Sequence, residues 1–206
     1  MDFSPGHLDL LLSRLFHDLI SPVGAARNGL ELLKEFGADD VGADAMDLAA
    51  DSTEQATARL TYFRMAFGGA GSSAGHGFSE ADRIARGYLS SRRIEWSMSG
   101  LAGSPTPQAG TVKVLLGAVA VVADAMPRLG TVSAAVLQDS VTLTAEGEGA
   151  ALEHAVLDAL AGRAEASDER TVLAATVYAN ARRFGLEPTV SSVSPPRIAI
   201  AFSESS

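Results

Sequence analysis

An α+β fold is predicted for this chain: an N-terminal antiparallel helical hairpin, completed to a four-helix bundle by dimerisation, followed by a mixed helix–strand sandwich. Three observations predict it. Apolar residues recur at spacings of three and four up to Phe67. The stretch Gly68-Gly69-Ala70-Gly71-Ser72-Ser73-Ala74-Gly75-His76-Gly77 then breaks that rhythm as a flexible tether does. Beyond it, short alternating runs bounded by turn residues are interspersed with apolar helical ones.

The first helix is marked by Leu8, Leu12, Leu15, Leu19, Val23, Ala26, Leu30 and Leu33, which form one seam. A turn at Gly37-Ala38-Asp39-Asp40 leads to a second seam of Val41, Ala45, Leu48, Ser52, Ala56, Leu60, Phe63 and Phe67. Two such helices joined by a short turn make a hairpin. A lone hairpin leaves much of its apolar surface in water, and pairing two across a two-fold axis removes that problem, so a homodimer is expected. The organisation is residues 1–68 as a dimerising hairpin, 69–77 as linker and 78–206 as a second domain. In that domain Ser79 is the expected N-cap of a helix reaching about Leu89. A strand follows over 93–99, a loop over 103–110 and an apolar helix over 111–126, closed by Pro127 and Gly130. Segments 131–137 and 141–145 read as a β-hairpin, 150–160 and 169–184 as helices, and 187–193 and 197–202 as strands. Helices are expected on one face of a largely antiparallel sheet.

Composition excludes several classes. At 47% hydrophobic, 206 residues suffice for a sizeable core. The longest apolar run, 112–126, carries Lys113 and Asp124 and is too short to span a bilayer, so no membrane association is expected. No basic segment followed by an apolar block opens the sequence, and the cytoplasm is the expected compartment. The absence of cysteine excludes disulfides and thiolate metal sites. A net charge of −9 argues against nucleic acid as a direct partner. Residues 1–68 hold five Arg/Lys against eleven Asp/Glu, a surface suited to water or to a partner with a basic rim.

Arg14, His17, Asp18, Ser21, Ala25 and Asn28 lie three or four residues apart, opposite the leucine seam, and Gly24 joins them. This stripe is polar or small, so a partner protein can approach the backbone. Pro22 has no N–H for the Asp18 carbonyl, which predicts a kink beside the His–Asp pair. The run Phe16-His17-Asp18-Leu19-Ile20-Ser21-Pro22-Val23, continued by Leu30-Glu31-Leu32-Leu33, resembles the H-box of sensor histidine kinases. Ser21 stands where Thr or Asn is usual. The resemblance implies that His17 is the phosphoacceptor, that Asp18 orients its ring, and that Arg14, Ser21, Gly24, Ala25 and Asn28 meet a receiver domain. A neutral imidazole is a competent nucleophile near neutral pH. Phosphoryl transfer is mostly positioning and charge neutralisation, so no cofactor or metal is expected on this chain, with Mg²⁺ supplied by the receiver. His7, His76 and His154 lack such a frame and read as structural or solvated.

The second domain resembles the ATP-binding domain of the same kinases without its nucleotide groups. The segment from Val114-Leu115-Leu116-Gly117-Ala118-Val119 to Met126-Pro127-Arg128-Leu129-Gly130 follows the frame of the N-box, yet Gly117 and Val121 stand where asparagines belong. Ala145-Glu146-Gly147-Glu148-Gly149 resembles the first glycine box, with Ala145 replacing the adenine-reading aspartate. No second glycine box precedes residues 171–184. The combination resembles the ChpT-type histidine phosphotransferases. It implies a degenerate kinase ATPase-like sandwich and partners among the receiver domains of a hybrid kinase and of response regulators. The alternatives are a non-catalytic pseudokinase scaffold that binds regulators, and a divergent ATP-dependent histidine kinase.

Overall fold

The computed structural model describes residues 5–37, 40–104, 106–127 and 129–201. Ala38 and Asp39 of the expected hairpin turn, Arg128 of the N-box frame and Phe202 of the last expected strand lie outside these. Two long helices come first, α1 (Pro5–Phe36) and α2 (Asp40–Ala66). They pack antiparallel through small residues: Gly29, Ala45, Ala49, Ser52 and Ala56 are buried. A Cβ on Gly29 would lie 2.7 Å from the Ala45 carbonyl oxygen, which is how closely the backbones approach. The large residues of the two expected seams take another course. Leu8, Leu12, Val23, Leu30, Val41, Leu48 and Leu60 are exposed along the hairpin. Leu15 and Leu19 instead are partly buried against the main core, to which Leu11, Tyr62 and Phe63 of the hairpin also belong. No helix among the described residues is long and apolar enough to cross a membrane.

The segment expected as a flexible tether is anchored. Ala70–Ser72 forms one 3-10 turn, Gly71 is buried, and Lys113 Nζ donates to the Gly68 carbonyl. His76 joins this turn to the next helix, with Nε2 3.0 Å from the Ala70 carbonyl and Nδ1 2.8 Å from Glu80 Oε2. That helix, α3 (Phe78–Ser90), is N-capped by Gly77 and not by Ser79, because the buried Phe78 side chain already belongs to its first turn.

Strand β1 (Glu95–Ser99) follows, then α4 (Thr111–Asp124), β2 (Gly130–Val136), β3 (Ser140–Gly147), α5 (His154–Leu160), α6 (Thr171–Phe184), β4 (Glu187–Val193) and β5 (Pro196–Ala201). The first strand starts two residues later than its alternation suggests, since Arg93 takes a left-handed conformation (φ 57°) to close α3. Helix α5 starts four residues later than expected because the Ala151 and Leu152 amides bond Ala125 and Val193 instead. The five strands run in the order β1-β2-β3-β5-β4, parallel between β1 and β2 and antiparallel elsewhere. Val132, Ala134, Val141, Leu143, Ala145, Ile198 and Ile200 line the buried face. Helix α4 is apolar all round and buried from Thr111 to Ala123, as a helix enclosed on every side must be. It lies between the sheet, α6, α3 and the end of α2. Tyr62 of α2 stacks on Tyr88 of α3 at 3.8 Å, and its hydroxyl donates to the Leu116 carbonyl of α4. The foot of the hairpin therefore shares one core with the second half.

Candidate functional site

His17 sits midway along α1 with 74% of its side chain exposed, beside the exposed Phe16, Ile20 and Ser21. A helix presents this face because Leu11, Leu15 and Leu19 take the opposite side to the core. Asp18 is buried to 14% exposure, and its Oδ1 lies 3.7 Å from His17 Nδ1, beyond hydrogen-bonding reach. Its carboxylate accepts instead from Arg14 Nη1 at 3.0 Å. Arg14 Nη2 donates to both oxygens of Asp124, at 2.9 and 3.1 Å, and Arg92 Nη2 donates to Asp124 Oδ1 at 2.6 Å. Asp18, Arg14, Asp124 and Arg92 thus form an alternating chain of charges from the residue beside His17 to α4 and the end of α3. Arg92 also lies over the Tyr88 ring, 5.4 Å from its centroid.

Of the residues expected to meet a partner, Ser21 and Asn28 are exposed, and Gly24 and Ala25 half-buried. Nothing lies within 4 Å of where a Gly24 Cβ would be. Arg14 is turned inward, and its guanidinium is engaged within the chain. Arg59 of α2 escaped the sequence reading: its Nη1 donates to the Asp18 carbonyl, the acceptor that Pro22 leaves free. A signal for it existed, since that orphaned carbonyl needs a donor and α2 carries only two cations, Arg59 and Arg64. His7 is structural, its Nε2 lying 2.9 Å from Thr176 Oγ1, and His154 is exposed at the start of α5.

A cavity of about 560 Å³ lies between α1 and the second half, lined among others by Val121, Asp124, Gly149, Glu153, Glu169 and Arg170. Its charges are matched internally. Arg170 pairs with Glu153 at 2.7 Å, and Ser13 Oγ donates to Glu169 at 2.8 Å. At the start of α6, Asp168 Oδ1 accepts from the Thr171 amide at 2.8 Å and the Arg170 amide at 3.0 Å. Those bonds hold the Asp168 carboxyl below its usual pKa, so the helix N-terminus already has an anion. Ala145 is buried in β3. At Gly117 an added Cβ would sit 2.9 Å from Val177, so the glycine admits α6 where the kinase frame has an asparagine. Among the described residues no cluster of His, Asp and Glu could hold a metal ion.

A family model described as the histidine phosphotransferase C-terminal domain matches residues 78–194. The chain belongs to that family. Protein phosphotransferase ChpT of Brucella abortus (strain 2308) is 42% identical over 125 residues, which make up 60% of this chain and 57% of the relative. The aligned stretch is thus little more than half of that protein. A solved structure of a bacterial phosphotransferase is 28% identical and matches with a TM-score of 0.79, covering 97% of this chain and 98% of the other. The matched domain occupies residues 78–194, while the hairpin with His17 precedes them and lies within the part of the chain that shares the fold of the solved phosphotransferase.

Proposed function

We propose that this chain is a phosphorelay intermediate that carries phosphate on His17 between receiver domains and uses no ATP. The observation that carries the reading is the exposed His17, set in an H-box frame on a two-helix hairpin that leads into a histidine phosphotransferase domain. In the forward step a neutral ring nitrogen of His17 attacks the phosphorus of a receiver's aspartyl phosphate. The new N–P bond replaces the acyl O–P bond, and the receiver's aspartate leaves as its carboxylate. The phosphoramidate then gives its phosphoryl group to the aspartate of a response regulator by the reverse of this step. Mg²⁺ and a cation for the equatorial oxygens come from the receiver, because Arg14 is held by Asp18 and Asp124. Asp18, whose Oδ1 lies 3.7 Å from His17 Nδ1, is the carboxylate placed to orient the ring.

Independence from ATP is supported by what occupies the kinase-like pocket. Val121 cannot ligate magnesium, Ala145 offers no side-chain acceptor for adenine, and the Asp168 carboxylate takes the amides where phosphates would bind. The exposed leucines and valines of the hairpin support a homodimer, since they make a long apolar stripe along both helices. Incubation with labelled ATP alone, then with a phosphorylated receiver, tests the proposal. Labelling only in the second case is expected. Labelling from ATP alone marks a divergent kinase, and none in either case marks a scaffold.

A further inference from the structure

Pro22 removes one donor from the middle of α1, and the consequence falls on the residue beside His17. In an unbroken helix the N–H of residue 22 bonds the carbonyl of residue 18, and a proline has none to give. Helix α1 nevertheless continues through Pro22, which is buried. A helix carbonyl left without a donor away from water is destabilising. Arg59 supplies the donor from across the hairpin. Among the described residues Arg59 has no carboxylate partner, and its Nε is buried without a hydrogen bond. Desolvating a guanidinium for one carbonyl contributes little net stability. What the contact does is fix a place: it ties the backbone at His17 and Asp18 to α2.

We propose that Arg59 is a positioning residue for His17, holding the turn that Pro22 loosens so that the imidazole faces the incoming phosphorus in line. The inference rests on His17 as phosphoacceptor. Transfer rates fall steeply when a reacting group is misplaced by about an ångström. The contact also makes the attitude of His17 depend on α2, through the one backbone acceptor that Pro22 frees.

A double-mutant cycle between Arg59 and Pro22 tests this on the full chain. Arg59→Met lowers transfer at saturating phosphorylated receiver by about tenfold, while the receiver concentration giving half the maximal rate changes little. Arg59→Lys, which keeps a donor, restores most of the rate. Pro22→Ala returns an N–H to the Asp18 carbonyl, so in that background Arg59→Met lowers the rate by less than about twofold. An equal loss in both backgrounds, or a loss confined to the half-maximal concentration, overturns the proposal, because Arg59 would then act through its charge or by docking. Circular dichroism melts check that each variant is folded. The same cycle is read without any phosphoryl donor from the NMR signals of the His17 ring. They move on Arg59→Met in the native background and stay in place in the Pro22→Ala background. Signals that ignore Arg59 in both refute the positioning role even if His17 takes no phosphate, a result that would separately end the phosphoacceptor reading.

Discussion

Two glycines on α1, five residues apart, face different demands. Gly29 touches α2, where an added Cβ would meet the Ala45 carbonyl oxygen at 2.7 Å and the Ala49 nitrogen at 2.9 Å. Both obstacles are backbone and cannot rotate aside. Gly29→Ala should therefore destabilise the fold by about 1–3 kcal/mol in urea unfolding. Gly24 has open space around it. Gly24→Ala should raise stability by about 0.5–1 kcal/mol, because alanine favours helix. If that space admits a receiver's backbone, the same variant should bind the receiver less tightly by about 1 kcal/mol or more. A variant that is stabler and binds equally well would remove Gly24 from the docking surface. Asp18 needs the same care, since its sequence position beside His17 does not reveal that its carboxylate is already held by Arg14, which Asp124 holds in turn.

At the scale of elements, periodicity made every α-helix and strand described above legible, and the misses are the 3-10 turn at Ala70–Ser72 and several ends fixed by distant groups. The spacing of leucines in residues 8–33 located α1 but not what each one touches. Leu15 and Leu19 face the core, while Leu12, Val23 and Leu30 face solvent. The Gly/Ser stretch reads as a tether because glycine content says nothing of Lys113, forty-five residues away from the Gly68 carbonyl it bonds. Lys113 yields a pH test of that junction. Burial lowers its pKa from 10.5 to about 8. Between those values the unfolded chain binds the proton that the folded chain has released, so the Lys113 contribution to stability rises as pH increases from about 8 to 10.5. Below that window both states are protonated and the burial penalty is constant. Urea melts of the native chain minus those of Lys113→Met should show this upward slope. A flat difference would mean that the ammonium is solvated.

The molecule as a whole joins a small-residue hairpin to a domain built on one enclosed helix. Its exposed apolar stripe predicts a mass in light scattering of about twice 21.2 kDa at micromolar concentration. Leu30 is 55% exposed in the single chain, so Leu30→Glu should give a folded monomer, and a dimer that survives it would place the interface elsewhere. In the second half the Asp168 carboxylate accepts from the Thr171 amide and Asp124 pairs with Arg14 and Arg92, so these charges are engaged within the chain. The central claim is tested most directly by mapping the phosphate itself. A phosphorylated receiver is mixed with the native chain and with His17→Ala, and the products are mapped by mass spectrometry under alkaline conditions that preserve phosphohistidine. The account predicts one acid-labile phosphate per native chain, on His17, and none on the variant. Phosphate on another residue, or on His17→Ala to the native extent, would contradict it.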